Sequence, residues 1–379
     1  GVAEGEIDIL MTIEISDPIP VSGGEVERIT ARPLAHPCHG HAAEQVISSL
    51  EFRARGRSAL EVQQALSVEQ SRKSCTVNRV HLSSFHGLLP SNQHPPAVAC
   101  QCPRYRRVVN LDAIVGTWPV RASVAVIGPD GTLAASSGTN AVHRLASVTK
   151  PIATLAILDA VHSGELDLDE PAGPEGSTLR HLLAHSSGLN FDDDRQLAAA
   201  GTRRIYSNRG IETAGDYFEQ RTGVPLAARV HERILAPLGM HSTVLNGSPA
   251  KDMTGTVDDL ALLARELLDP HVLDPALLDE ATTVQFPGVA GILPSYGRQT
   301  PNDWGLGFEI RSGKDPHWTG SLNSPHTFGH FGQSGSFLWV DPEHDLACVS
   351  LSDTDFGPWA MENWPGLSDA VIREFSSRV

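Results

Sequence analysis

Ser147-Val148-Thr149-Lys150 sets a hydroxyl and an amine three residues apart. A serine hydroxyl is a weak nucleophile at neutral pH and needs a proton acceptor against it. Positions i and i+3 stack on one face of a helical turn, so the Lys150 amine falls over the Ser147 oxygen if this stretch is helical. The residues that follow ask for a helix. Pro151 is tolerated in a first turn, Ile152, Leu155, Ala156, Leu158 and Val161 recur at helical spacing, and Gly164 closes the run. Ser147 is thereby expected near a helix N-terminus, where unpaired N–H groups favour developing negative charge. Ser248-Pro249-Ala250-Lys251 has the same spacing, but it follows Asn246-Gly247 and no apolar period comes after it, so it reads as a surface turn.

Two further segments offer partners. In Tyr206-Ser207-Asn208, the tyrosine becomes a base only where a cation lowers its pKa, which Lys150 is expected to do. Tyr206 and Lys150 would then share the Ser147 proton and pass it to a leaving group. Asn208, two residues on in an extended segment, is expected to bind a substrate carbonyl and steady Lys150. The second segment, His330-Phe331-Gly332-Gln333-Ser334-Gly335, reads as entering a strand, and its small residues let a substrate lie against the strand edge. There the backbone N–H of Gln333 is expected to join that of Ser147 as an oxyanion hole. His185-Ser186-Ser187-Gly188 also sets a histidine beside serines, but sequence neighbours seldom form a nucleophile and base, and the G-x-S-x-G elbow is absent. It reads as a structural loop.

Taken in this order, S-x-x-K (Ser147, Lys150), Y-x-N (Tyr206, Asn208) and an H-x-G box (His330, Gly332) resemble the serine β-lactamase and penicillin-binding-protein superfamily, in its class C-like branch of esterases and DD-peptidases. Arg144-Leu145-Ala146, the 179–189 segment, Pro237-Leu238-Gly239-Met240 and Gly305-Leu306-Gly307-Phe308 carry the same resemblance, which covers roughly 111–379. It implies an acyl-enzyme hydrolase needing no cofactor and no metal. The third box departs from the usual K-T-G: lysine is a permanent cation for a substrate carboxylate, whereas histidine is largely neutral at pH 7. An ester or amide without a required carboxylate is therefore the expected substrate, with β-lactam or D-Ala-D-Ala carboxypeptidase activity as the alternative; Arg209 or Arg298 would then have to supply the cation. An acyltransferase and a non-catalytic binding scaffold are the remaining readings.

The elements that must position these residues follow from periodicity. A short helix over 110–117 and a hairpin of 120–127 with 132–137 precede the nucleophile helix. Helical patterns occupy 178–185, 210–222, 226–235, 257–268 and 275–283, strand-like runs 304–311, 336–340 and 346–352, and a helix 359–375. Strands at both ends around a helical middle predict a mixed α/β (α+β) fold. Its antiparallel sheet is built from 111–150 and 301–379, is flanked by helices, and has 151–300 inserted between.

Composition bounds the partners. Residues 1–110 carry 11 acidic and 11 basic side chains, so 45 − 11 = 34 acidic and 29 − 11 = 18 basic fall in 111–379, which holds the whole excess of 16 negative charges. An acidic body argues against nucleic acid and anionic membranes, and for a small-molecule ester, amide or lactam. Cys348 stands alone after residue 111, as expected of a reducing compartment, and the acidic opening Gly1-Val2-Ala3-Glu4 does not read as a secretory signal. A cytoplasmic protein is expected, with residues upstream of the non-methionine start missing. Residues 1–110 read poorly: 7–15 could be a strand and 42–66 has some helical character, but 71–107 has no sustained period. The segment is expected to be disordered or no part of the enzyme. Cys38, His39, His41, Cys75, Cys100 and Cys102 lack the paired knuckles of a zinc site.

Overall fold

A computed structural model of the chain describes residues 109–376, together with three short strands nearer the start, β1 (Met11–Glu14), β2 (Ile29–Pro33) and β3 (Glu51–Phe52). The chain divides into two units, Gly1–Arg104 and Tyr105–Val379. In the first, β2 pairs antiparallel with both β1 and β3. The strand β1 falls within the run read as a strand, and β3 interrupts the stretch read as having helical character. The irregular 71–107 run and the cysteines and histidines weighed as zinc ligands lie outside the described residues.

The second unit is built on a six-stranded antiparallel sheet ordered β11-β12-β13-β14-β4-β5. Its strands are β4 (Ala122–Gly128), β5 (Gly131–Ala135), β11 (Glu309–Ile310), β12 (Phe328–Gly332), β13 (Ser336–Asp341) and β14 (Leu346–Ser352). Both ends of the unit meet where β14 pairs with β4, Ala347 opposite Ile127 and Ser352 opposite Ala122. Period-two alternation then divides each central strand between two cores. Ala125, Ile127, Leu338, Val340, Val349 and Leu351 face one, and Val124, Val126, Phe337, Trp339, Leu346 and Cys348 face the other. Covering both faces explains why these strands read as almost continuous apolar runs.

On the second face lie α1 (Leu111–Val115), capped by the Asn110 side chain, and the C-terminal helix α9 (Pro358–Phe375), which brings Trp364, Leu367 and Val371. The first face carries α2 (Thr149–His162) and α7 (Val257–Leu268). The remaining helices are α3 (Leu179–Leu183), α4 (Asn208–Thr222), α5 (Leu226–Val230), α6 (Ala236–Leu238) and α8 (Pro275–Thr282), with a π turn at His231–Leu235 joining α5 to α6. In α2, all side chains from Thr149 to Leu158 are buried, so the helix is enclosed on every side rather than along one stripe. Two small sheets, β6-β8-β7 (His143–Arg144, Met253–Gly255, Val244–Leu245) and β9-β10 (Gly291–Leu293, Gly297–Gln299), complete the unit.

Several sequence expectations shift. The 304–311 run yields only β11, because Trp304 bridges Gln285 and Glu309 in isolated pairs. The 226–235 helix breaks into an α and a π segment. The third box does not enter a strand: His330 lies inside β12, whose end is Gly332. Among the described residues, no helix is long and apolar enough to cross a membrane.

Gly329 is held where β12 and β13 approach most closely, since a Cβ there would lie 2.1 Å from the Leu338 carbonyl oxygen and 2.8 Å from Trp339 Cα. Backbone atoms cannot yield as a side-chain tip can. Gly329→Ala is expected to cost at least about 2 kcal/mol, read as a fall in the thermal midpoint of roughly 5 °C or more; an unchanged midpoint would show that β12 has room to move.

Candidate active site

Ser147 sits in a single 3-10 turn, Ala146–Val148, that leads directly into α2. The turn is clamped from the sheet side. Ser334 Oγ and Ser336 Oγ, in and after the β12–β13 turn, donate to the carbonyls of Arg144 and Leu145, each at 2.7 Å. Gly332 closes against the same turn, for a Cβ there would stand 2.6 Å from Leu145 O and 3.1 Å from Ser147 N. Ala146, just before the serine, is held at φ 45°, a left-handed conformation that a non-glycine residue adopts only at a cost.

Lys150 Nζ lies 3.1 Å from Ser147 Oγ, as the helical spacing predicts. Its other two partners are Asn208 Oδ1 at 2.7 Å and the Ala250 carbonyl at 2.9 Å. The Asn208 amide is oriented by its far side, where Nδ2 donates to Asp192 Oδ1 at 2.9 Å. Lys150 is completely buried and no carboxylate touches it, so desolvation lowers its pKa to about 7, against a smaller opposing pull from Glu212. A neutral amine has two N–H donors and one lone pair. The two acceptor oxygens take the donors, and the lone pair is left for the Ser147 hydroxyl.

The Tyr206 hydroxyl donates to Ser147 Oγ at 2.7 Å from the other side. The expectation that Lys150 lowers its pKa is wrong. Burial pushes the phenol well above its usual range, the hydrogen bond it donates to Ser147 opposing only in part, and Lys150 lies over the ring face, 4.8 Å from its centroid, rather than at the oxygen. Tyr206 therefore stays a phenol, and Lys150 is the group of the two whose pKa is brought down to about 7. Asn208 is also placed differently from the extended segment expected: Ser207 caps α4 by accepting from Gly210 N, which makes Asn208 the first helical residue.

His330 is buried 5.7 Å, ring to ring, from Tyr206. Its Nδ1 lies 2.6 Å from the Phe331 carbonyl, and desolvation, aided by Lys150, lowers its pKa to about 3. It is a neutral ring with Nδ1–H donating and a buried, unpaired Nε2. Gln333 follows at the end of β12; its carbonyl accepts from Phe356 N at 2.7 Å. Ser147, Tyr206, His330 and Gln333 all line one cavity of about 420 Å³, with Trp304 and Phe331 among its walls. Glu309 also lines it, buried with Lys314, His317 at 2.9 Å and the Trp318 indole at 2.6 Å. Burial would raise the Glu309 pKa, but His317 and Lys314 overcome it and keep the carboxylate ionised.

A beta-lactamase family model matches residues 120–370. The chain belongs to the beta-lactamase family. A solved Mycobacterium bovis structure described as a beta-lactamase is 52% identical to this family member, covering 70% of this chain and 98% of its own, with a TM-score of 0.68. Esterase EstB of Burkholderia gladioli is 34% identical over 195 residues, 38% of this chain and 49% of EstB. A Salmonella heidelberg (strain SL476) protein named for D-alanyl-D-alanine carboxypeptidase is 23% identical over 54% of this chain and 59% of its own. The aligned part of this beta-lactamase family chain thus spans about half the length of the curated relatives it matches.

The remaining sequence candidates separate cleanly. Ser248 donates to Glu212 Oε1 at 2.6 Å instead of facing a lysine, although its neighbour Ala250 supplies a Lys150 partner. His185 accepts from Ser207 N at 3.2 Å and packs on Tyr206, as a structural loop should. Arg209 is held by Asp194 and Asp216, and neither it nor Arg298 lines the cavity. Asp192, Ser334, Ser336 and the Ala250 carbonyl were not singled out from sequence. Only Ser336, in an apolar strand beside the third box, left a local signal.

If Lys150 must be neutral to accept the Ser147 proton, ester turnover rises with pH through about 7 and is lost below it as the amine is protonated. A kcat/KM–pH profile checks this, and Asp192→Asn should move its acidic limb while leaving the fold intact; a profile flat from pH 5.5 to 8.5 would contradict it.

Proposed function

We propose that this chain is a serine hydrolase that works through an acyl-enzyme on a small ester or amide, esters being its preferred substrates. The observation that carries the reading is the buried Lys150 amine, with two acceptors for its N–H groups and Ser147 Oγ at 3.1 Å. In this mechanism Ser147 Oγ attacks the carbonyl carbon while its proton passes to Lys150. The backbone N–H groups of Ser147 and Gln333 hold the oxyanion. On collapse the bond to the leaving group breaks, and Tyr206, kept protonated by burial, relays the Lys150 proton to it. Water then attacks the acyl carbonyl, giving up a proton through the same pair, and the carboxylic acid leaves with Ser147 restored. Asn208 fixes Lys150, and Gly332 keeps the strand edge open beside the serine.

EstB's name supports the ester reading, and so does the neutral His330, which offers no cation to a carboxylate. The second reading, a β-lactamase or D-Ala-D-Ala carboxypeptidase, is supported by the Mycobacterium bovis and Salmonella relatives. The acidic body and lone Cys348 of 111–379 support action on a small molecule in the cytoplasm.

Ser147→Ala is expected to lower p-nitrophenyl ester turnover by at least about 10³-fold while Ser248→Ala leaves it within twofold. A fluorophosphonate should add its mass at Ser147. Nitrocefin hydrolysed as fast as the ester would favour the lactamase reading, and no adduct at Ser147 would favour a binding scaffold.

We also propose that 111–379 is the complete catalytic unit. A chain beginning at Val108 should unfold cooperatively and keep full esterase activity, because the α1 cap at Asn110 and the β4–β5 hairpin are retained. Insoluble or inactive truncated protein would make 1–107 a structural part of the enzyme.

A further inference from the structure

The cavity that holds Ser147 opens through an apolar collar. Phe191, Leu197 and Ile292 line it and are nevertheless 46%, 51% and 56% exposed, an arrangement that leaves large apolar side chains waiting for a ligand. Two cations line the cavity, Arg203 and Arg204, and of the pair only Arg203 is exposed. No carboxylate among the described residues pairs with Arg203. Arginines nearby in sequence are not so placed: Arg195 is tied to Asp193 and Arg209 to Asp194.

The position of Arg203 is fixed by the residue after it. Arg204 is buried, its backbone N–H donates to Ala290 O at 2.9 Å, and its guanidinium donates to the carbonyls of Asn302 at 3.0 Å and Gln285 at 2.7 Å. The backbone of Arg203 is thus pinned to the cavity wall while its own guanidinium remains unspent. In a region carrying 16 excess negative charges, a free anion is repelled at long range, so a local cation decides whether an anionic group is accepted.

We propose that Arg203 is the specificity-determining residue of this site, and that the substrate carries a carboxylate at the end of an apolar arm, the arm against the collar and the carboxylate on the guanidinium. This rests on the serine-hydrolase reading above. It also amends the expectation that the substrate has no carboxylate: the neutral His330 leaves the anion unread beside Ser147, and Arg203 reads it at the mouth.

The test compares esters matched in length. On the acyl side, p-nitrophenyl hexanoate is set against the p-nitrophenyl monoester of adipic acid; on the leaving-group side, phenyl acetate is set against 4-acetoxybenzoate. Arg203→Ala is expected to lower kcat/KM about fivefold, through KM, for the anionic member of one pair, with the neutral members unchanged. Arg203→Lys should recover most of the loss, and 1 M salt should erase the difference in the wild type. The pair that responds identifies the arm that bears the carboxylate. Binding of monomethyl and dimethyl adipate to Ser147→Ala, followed by ligand-observed NMR, reads the acyl-side contact without turnover. Wild-type turnover of the neutral esters alone tests the hydrolase reading. If Arg203→Ala changes the anionic and neutral members of both pairs equally, and the two adipates bind alike with or without Arg203, the assignment is overturned while the hydrolase reading stands.

Discussion

An amine with no access to water and no carboxylate in contact governs this site. Placing a full positive charge at Lys150 would forfeit hydration worth several kcal/mol, and neutral oxygens from Asn208 and Ala250 return only part of it. The amine yields its proton instead. Three chain segments converge to hold it: the N-terminal turn of α2, the first residue of α4, and the loop before β8. Each is set by its own local chemistry, the Ser207 cap for α4 and the Asn246–Asp252 backbone turn for the loop. The phenol of Tyr206 is displaced in the opposite direction by the same burial. One environment thus separates an acceptor from a donor on either side of a single hydroxyl.

The sheet's contribution is positional. Hydroxyls at Ser334 and Ser336 occupy the carbonyls of Arg144 and Leu145 before the Ser147 turn, and Gly332 admits the turn to within van der Waals reach of the strand. Together they hold Ala146 in its left-handed conformation. Cost at that residue is offset by contacts made by neighbours on both sides, the usual way a fold keeps a strained residue beside a reactive one.

What could be read from the sequence was whatever has a short period or a fixed offset. Runs with strong periodicity, 257–268 and 346–352, match α7 and β14 to the residue, and Ser147 and Lys150 meet because i and i+3 must. Asn208 reads as extended because Gly210 looks like the first helical residue, whereas Ser207, three positions earlier, caps the helix and makes Asn208 its first residue. The tyrosine's direction of shift was misjudged because it depends on enclosure by Trp304, His185 and His330, which approach from distant positions. The Ala250 carbonyl was invisible for a different reason: a main-chain ligand leaves no side-chain type to notice. Arg203, one of two adjacent arginines, carried no mark separating the anchor from the free cation.

The pairing of β4 with β14 joins residues more than 200 positions apart, and this orders the assembly of the unit as the chain is synthesised. α2 and much of the helical layer rest on contacts available early in synthesis, whereas the serines that seat the Ser147 turn arrive with β12 and β13. A nascent chain halted before residue 334 would carry Ser147 and Lys150 already one turn apart, yet leave the Arg144 and Leu145 carbonyls unclaimed and the sheet open at its centre. On the proposed role of Ser147, a chain halted there would lack the contacts that seat the serine, since they come from elements that emerge long after it.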